Sequence, residues 1–291
     1  MKGVNIMRYR TLADKKVSAI GLGEMPMSIE GRPDEKQAIE TIHAALDAGV
    51  NFIDTADAYS LGGADTGHGE RLVAKALSLW SGDKDEVLVA TKGGHYRPGD
   101  GSWDVNSRPE YLRAAVEASL RRLNVESIGL YQHHRPDPSI AYEDSIGLIK
   151  EFLDAGKIQR AGISNANIDQ IKTAMAILGP GNLASVQNQF SLVFRSSENE
   201  LQFCTQNNIV FIPWSPLGGI GRAKNLVNNY PAILEIAGNH GVSPQQVVLA
   251  WMLSLGENVI PIPGASRPES ILDSAQSTEL VLTADELKQI G

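Results

Sequence analysis

The feature that most constrains this chain is a regular alternation of two hydrophobic periods. From Ile20 onward, short apolar runs rich in β-branched residues trade places with longer runs whose apolar residues recur every three to four positions. The short runs cover 20–23, 50–53, 87–91, 128–134, 158–163, 184–187, 209–212 and 259–262. The helical runs cover 34–48, 69–79, 109–123, 142–155, 167–177, 199–206, 230–240 and 243–255. Alternation of this kind demands a parallel sheet, either doubly wound or closed on itself. Eight units with no linker between them, in 291 residues that are 42% hydrophobic, fit a (β/α)8 TIM barrel spanning 1–291 as one domain. Ahead of the barrel, 9–12 and 17–20 flank the polar Ala13-Asp14-Lys15-Lys16, which has hairpin length. Ser243-Pro244 with Gln246, and Thr283 with Glu286, carry helix-start signals that add C-terminal helices.

Where the polar residues fall is more informative than how many there are. Asp54 follows the second short run, Lys92 follows the third and His134 ends the fourth. Ser164-Asn165, Gln187 to Gln189, Trp214-Ser215 and Gly264 to Arg267 follow the remaining four. In a parallel barrel all these carboxyl ends open on one face, where active sites of this architecture lie. Each residue taken singly has an ordinary role: Asp54 as a turn cap, Lys92 as a rim charge, Tyr59 as a packed loop aromatic. An acid, a lysine, a histidine and a tyrosine converging on one rim from consecutive units is not what scattered surface residues produce. Asp57, equally close in sequence, reads as a loop cap. His133 and His134 are adjacent on a strand and therefore point oppositely, which argues against a metal pair. His43, His68 and His240 have no partner at metal spacing.

Other classes are disfavoured by composition. A formal net charge of −8 gives no electrostatic gain from nucleic acid or anionic membrane. No stretch reaches the roughly 18 apolar residues of a membrane span, and Met1 to Ile6 lacks a signal-peptide core, so a cytoplasmic setting is expected. Cys204 is the only cysteine, which rules out an internal disulfide framework and suggests a quiet core thiol. Gly21-Leu22-Gly23 opens like a dinucleotide fingerprint, but Pro26 occupies the third glycine position and no helix follows it directly.

These residues together resemble the aldo-keto reductases over essentially the whole chain. Asp54-Thr55-Ala56-Asp57-Ala58-Tyr59 is similar to the family's aspartate and tyrosine segment, Ala90-Thr91-Lys92 to its lysine strand, and Leu130 to Arg135 to its histidine strand. Gly162 to Asn165, Gln187 to Gln189, Trp214 to Gly218 and Ile262 to Gly264 continue the match. The resemblance implies an NADPH-dependent oxidoreductase that reduces an aldehyde or ketone, with Asp54, Tyr59, Lys92 and His134 as the catalytic set. Tyr59 would supply the proton. A phenol near pKa 10 donates reluctantly, and the Lys92 ammonium is expected to make it more acidic, with Asp54 holding that lysine in place. His134 would hydrogen-bond the carbonyl oxygen.

For the cofactor, the resemblance places Ser164, Asn165 and Gln189 at the nicotinamide carboxamide and Trp214 against the ring, where relatives usually have tyrosine. Ser215, Leu217 and Gly218 begin a loop, 216–229, suited to fold over the pyrophosphate. Gly264, Ser266 and Arg267 would meet the 2′-phosphate end, with Asp273 near the adenine. Ser270 replaces a second arginine common in relatives, so NADP is expected ahead of NAD without the full usual set. Met25, Met27, Tyr96 and Trp103 would wall the pocket for a small-molecule carbonyl substrate. A monomer or weak homo-oligomer is expected. The rival reading is a nicotinamide-binding regulatory or redox-sensor subunit with little turnover.

Overall fold

A computed structural model describes residues 7–219 and 230–291. Residues 1–6 and the 220–229 part of the loop expected to cover a pyrophosphate lie outside the described residues.

The chain opens with a hairpin, β1 (Tyr9–Leu12) and β2 (Lys15–Ser18), in which Leu12 faces Lys15. The connection is therefore the two residues Ala13-Asp14 rather than the polar tetrapeptide, and Ala13 takes a positive φ of 54° to make it. The barrel strands follow: β3 (Leu22–Gly23), β4 (Phe52–Asp54) and β5 (Leu88–Gly93). A second small hairpin, β6 (His95–Tyr96) with β7 (Asp104–Val105), rises from the loop after β5 and was not expected. Then come β8 (Leu130–His133), β9 (Ala161–Ser164), β10 (Leu183–Gln189) and β11 (Val210–Trp214). These seven barrel strands form one parallel sheet in the order β11-β10-β9-β8-β5-β4-β3.

The eighth unit closes the ring without forming a regular strand. Ile260 and Ile262 donate to Phe211 and Pro213 of β11, at 2.9 and 3.3 Å, while the carbonyls of Pro261 and Pro263 accept from Gly21 and Gly23 at 2.9 and 3.0 Å. Pro263, the residue that would donate back to Gly21, has no N–H, while Ala265 donates to the Gly23 carbonyl at a long 3.4 Å. The ladder on that side is interrupted for a covalent reason. Gly23 makes the approach possible, since a Cβ there would meet the Ile262 carbonyl at 2.8 Å.

Outside the sheet lie α1 (Glu35–Asp47), α2 (His68–Leu79), α3 (Pro109–Leu123), α4 (Tyr142–Asp154), α5 (Ile168–Leu178) and α6 (Glu198–Gln206). They are followed by α7 (Pro231–His240), α8 (Pro244–Ser254), α9 (Pro268–Gln276) and α10 (Ala284–Ile290). Thr283 and Glu286 close the expected capping box on α10. On α8, Ser243 caps, but the Gln246 side chain reaches across to Asp273 and Gln276 instead of back to its own cap. The helix α9 was not anticipated.

Side-chain parity divides the core in two. Leu12 and Val17 of the hairpin join Phe52, Leu88, Ala90, Leu130, Val210 and Ile212 inside the barrel. The alternate residues Ile53, Tyr131, Ile163 and Phe211 face the helices. Cys204 is buried in that outer layer, where burial and then the Glu200 charge push its thiol up to about 12. No helix among the described residues is long and apolar enough to cross a membrane.

Candidate active site

The same parity builds the site. On β4, Phe52 faces inward, Ile53 outward and Asp54 inward again; on β5 the inward series is Leu88, Ala90 and Lys92. Past the end of β8, His134 lines the cavity at the barrel mouth, whereas His133 turns outward and meets Ser107 Oγ at 2.8 Å. The cavity has a volume of about 920 Å3, within the range of a small-molecule site.

At its floor Lys92 is completely buried and spends all three ammonium protons. Nζ donates to Asp54 Oδ1 at 2.6 Å, the Thr55 carbonyl at 2.9 Å and Tyr59 Oη at 3.1 Å. The other Asp54 oxygen accepts from Gln187 at 2.8 Å and Gln132 at 3.3 Å. Tyr59 Oη accepts from Lys92, so its own proton is free for an acceptor in the cavity that the residue lines. Desolvation lowers the Lys92 pKa, but Asp54 and Tyr59 together outweigh it, so the ammonium stays charged. For Tyr59 the balance goes the other way. Burial raises its pKa more than the neighbouring ammonium lowers it, so the expected net acidification does not occur and the phenol keeps its proton at neutral pH.

Burial, then the charges of Lys92, His95 and Arg135, hold His134 well below the ordinary histidine range. It is a neutral imidazole, with one ring N–H to offer. Its ring stands edge-on to Tyr59, with centroids 5.9 Å apart, and edge-on to His95 at 4.8 Å.

The remaining expected residues divide by position. Ser164, Asn165, Trp214, Ser215, Leu217, Gly264, Ser266 and Arg267 all line the cavity. The two Asn165 amide protons go to the His134 carbonyl at 3.1 Å and Ser164 Oγ at 2.9 Å, and its oxygen accepts from Trp214 Nε1 at 3.2 Å. What Asn165 and Ser164 retain is acceptor capacity. Arg267, at the cap of α9, is an exposed cation with no hydrogen-bond or ion-pair partner among the described residues. Gly218 has a φ of 87° in a turn back to Ser215, and the neighbouring Gly219 is the one in the wall. Gln189 ends β10 in register with Trp214 but does not line the cavity; Gln187, one inward step earlier, does. Asp273 lies outside the wall as well, held by Ser243 at 2.8 Å and Gln246 at 2.7 Å. Of the four apolar candidates, Met25 and Trp103 face the cavity, Met27 is packed in the outer core, and Tyr96 bonds Asp104 at 2.9 Å.

Sequence reasoning missed His95 and Arg135, both in the wall. The signal for His95 was its place just past the lysine strand, and for Arg135 its place beside His134. Reasoning also missed a buried polar layer beneath Asp54. Glu24 is fully buried, accepts from Ser28 and from Thr55 Oγ1 (2.9 Å), and burial pushes its carboxyl up to about 7. Ser28 in turn meets His68 Nδ1 at 2.8 Å. Asp57, read as a loop cap, takes a backbone hydrogen bond from Ala58 but is sealed from solvent. It is buried with Oδ1 lacking a partner, and burial and Glu70 raise its pKa. Among the described residues no group of three or more histidine, cysteine or acidic side chains is placed to hold a metal.

The comparisons with known proteins agree with the geometry. The Aldo/keto reductase family model matches residues 19–291. An uncharacterized oxidoreductase of Schizosaccharomyces pombe is 33% identical over 280 residues, covering 94% of this chain and 86% of that protein. Probable aldo-keto reductase 1 of Glycine max is 32% identical over 303 residues, covering 94% and 85%. The crystal structure of an aldo-keto reductase from Klebsiella pneumoniae in complex with NADPH superposes with a TM-score of 0.81 at 26% identity, covering 98% of this chain and 94% of that one. The chain belongs to the aldo-keto reductase family and is an oxidoreductase.

Proposed function

We propose that this enzyme reduces an aldehyde or ketone to an alcohol at the barrel mouth, using NADPH, with Tyr59 as the general acid. The observation that carries the reading is the three-way hydrogen bonding of Lys92, which leaves the Tyr59 proton free for an acceptor in the cavity that Tyr59 lines. The wall fits a dinucleotide: Trp214 offers a flat face, Ser164 and Asn165 offer acceptors to a carboxamide N–H, and Arg267 is an unpaired cation for a phosphate. When bound, NADPH supplies the hydride.

The chain's own residues do the rest. His134 donates an N–H to the carbonyl oxygen and holds the reacting carbon in place. Tyr59 hands its proton to the oxygen as negative charge develops there. Lys92 stabilises the phenolate left behind, and Asp54, fixed by Gln187 and Gln132, keeps Lys92 charged and aimed.

The test pairs two measurements. Fluorescence titration should show NADPH binding more tightly than NADH, and wild-type enzyme should oxidise NADPH in the presence of 4-nitrobenzaldehyde. Tyr59→Phe should bind NADPH as wild type does and lose about 10²- to 10⁴-fold in kcat. Wild-type turnover by that variant would remove Tyr59 from the role of acid. Failure to bind either nucleotide would defeat the reductase reading, and binding without turnover would favour a sensor subunit.

A further inference from the structure

We propose that Arg135 makes the substrate pocket selective for carbonyl compounds that also carry a carboxylate, a refinement that rests on the reductase reading above. Arg135 directly follows His134, and both side chains line the same cavity. Two nearby arginines are occupied: Arg97 is paired with Glu30 and bonded to the Ser60 carbonyl, and Arg122 is paired with Glu70. Arg135 has no hydrogen-bond or ion-pair partner among the described residues, and the segments outside them, 1–6 and 220–229, contain no Asp or Glu. Burial alone lowers its pKa, with no acid to offset it. A guanidinium in that position has a free planar fork of donors, whose geometry matches a carboxylate.

The direction of its field fits the reaction. Among neighbouring charges, Arg135 acts most strongly on His95, and it is one of the cations that keep His134 neutral. Its charge therefore reaches the two imidazoles that bound the reacting end of the pocket. The acid on the same wall, Asp104, acts on His95 less strongly than Arg135 does, and it is tied to its own hairpin by Tyr96 Oη at 2.9 Å and the Val105 N–H at 2.8 Å. Arg267, the other unpaired cation in the wall, stands at the cap of α9 on the cofactor side. Trp103, in the same wall, stacks on His95 with centroids 5.0 Å apart, and the Arg97 guanidinium lies over its ring at 4.8 Å. A substrate with both a carbonyl and a carboxylate uses His134 and Arg135 together, and the carboxylate is the feature that Arg135 reads. An ester of the same shape lacks it.

The experiment compares 2-, 3- and 4-carboxybenzaldehyde with their methyl esters, following NADPH oxidation. For at least one isomer the acid should exceed its ester by about tenfold or more in kcat/KM, as expected for a charge-assisted hydrogen-bonded pair. Arg135→Met should cut kcat/KM for that acid by about 10- to 100-fold while leaving the ester within about threefold, and Arg135→Lys should restore part of the loss. The proposal is overturned if no acid outperforms its ester, or if the preference survives in Arg135→Met. In both cases reduction of the esters would leave the reductase reading intact. Absence of turnover with every acid and ester would overturn that reading and this one with it.

Discussion

Replacing Glu24 with glutamine should change how the stability of this protein depends on pH. Glu24 is fully buried, and its carboxyl ionises near 7 instead of the ordinary 4.5, with burial as the main cause. The folded state therefore holds this proton more tightly than the unfolded chain does. The stability that results is complete below about pH 4.5 and is lost as pH rises through about 7. A gap of about 2.5 pH units at about 1.4 kcal/mol each amounts to about 3 kcal/mol, of which about 2 should be gone by pH 6. Glutamine has the same shape and does not titrate. The Ser28 and Thr55 hydroxyls that now donate to Glu24 would have to rearrange around the new amide, which sets a constant offset between the proteins but no slope. Nearby His68 and Asp57 are shifted in both proteins and largely cancel. Urea unfolding at intervals from pH 4.5 to 8 should show the stability of wild type minus that of Glu24→Gln falling by about 3 kcal/mol. Parallel curves across that range would mean that Glu24 ionises normally and that the burial argument is wrong.

Three further outcomes are expected. Lys92→Met leaves the Asp54 carboxylate buried with only two amide donors, and urea unfolding should show a loss of about 3–5 kcal/mol. Adding Asp54→Asn should recover much of it, and no recovery would mean the loss comes from packing. Gly23→Ala drives a methyl to 2.8 Å from the Ile262 carbonyl at the closing seam and should cost about 1–3 kcal/mol in the same assay; an unchanged midpoint would show the seam to be loose. Arg267→Ala should weaken NADPH binding by about tenfold or more in a fluorescence titration while NADH is unaffected, and equal losses for both would place Arg267 away from the 2′-phosphate.

The sheet was legible because period-2 and period-3.6 patterns depend only on neighbouring residues. The helix α3 lies at 109–123 as its pattern predicts, and the helix and strand ends elsewhere differ by only a few residues. The eighth run was located correctly, yet its irregularity was already written in Pro261 and Pro263, which have no N–H to offer a neighbouring strand. Asp54, Lys92 and His134 were readable for a related reason: each is an inward residue at the carboxyl end of its strand. What stayed hidden depends on contacts between distant segments. Nothing local in Glu24-Met25-Pro26 says that the carboxylate will be sealed beneath Thr55, 31 positions away. The raised pKa of Tyr59 is likewise a property of burial, which outweighs the lysine that sequence alone brings to mind.

That raised pKa bears on how the proposed acid works. A phenol made strongly acidic by its lysine would sit partly ionised before substrate arrived, and a phenolate has no proton to give. Here burial keeps Tyr59 protonated, while Lys92, within 3.1 Å of Oη, favours the phenolate as it forms. The oxygen that develops on a reduced carbonyl is a stronger base than phenolate, so transfer from Tyr59 runs downhill even from a raised pKa. His134, neutral because Lys92, His95 and Arg135 oppose its charging, is a poorer proton source than an imidazolium and suits the positioning of the carbonyl instead. Each group is thus kept in the protonation state that the proposed reaction asks of it, by burial in the case of Tyr59, by Asp54 and Tyr59 in the case of Lys92, and by burial together with neighbouring cations in the case of His134.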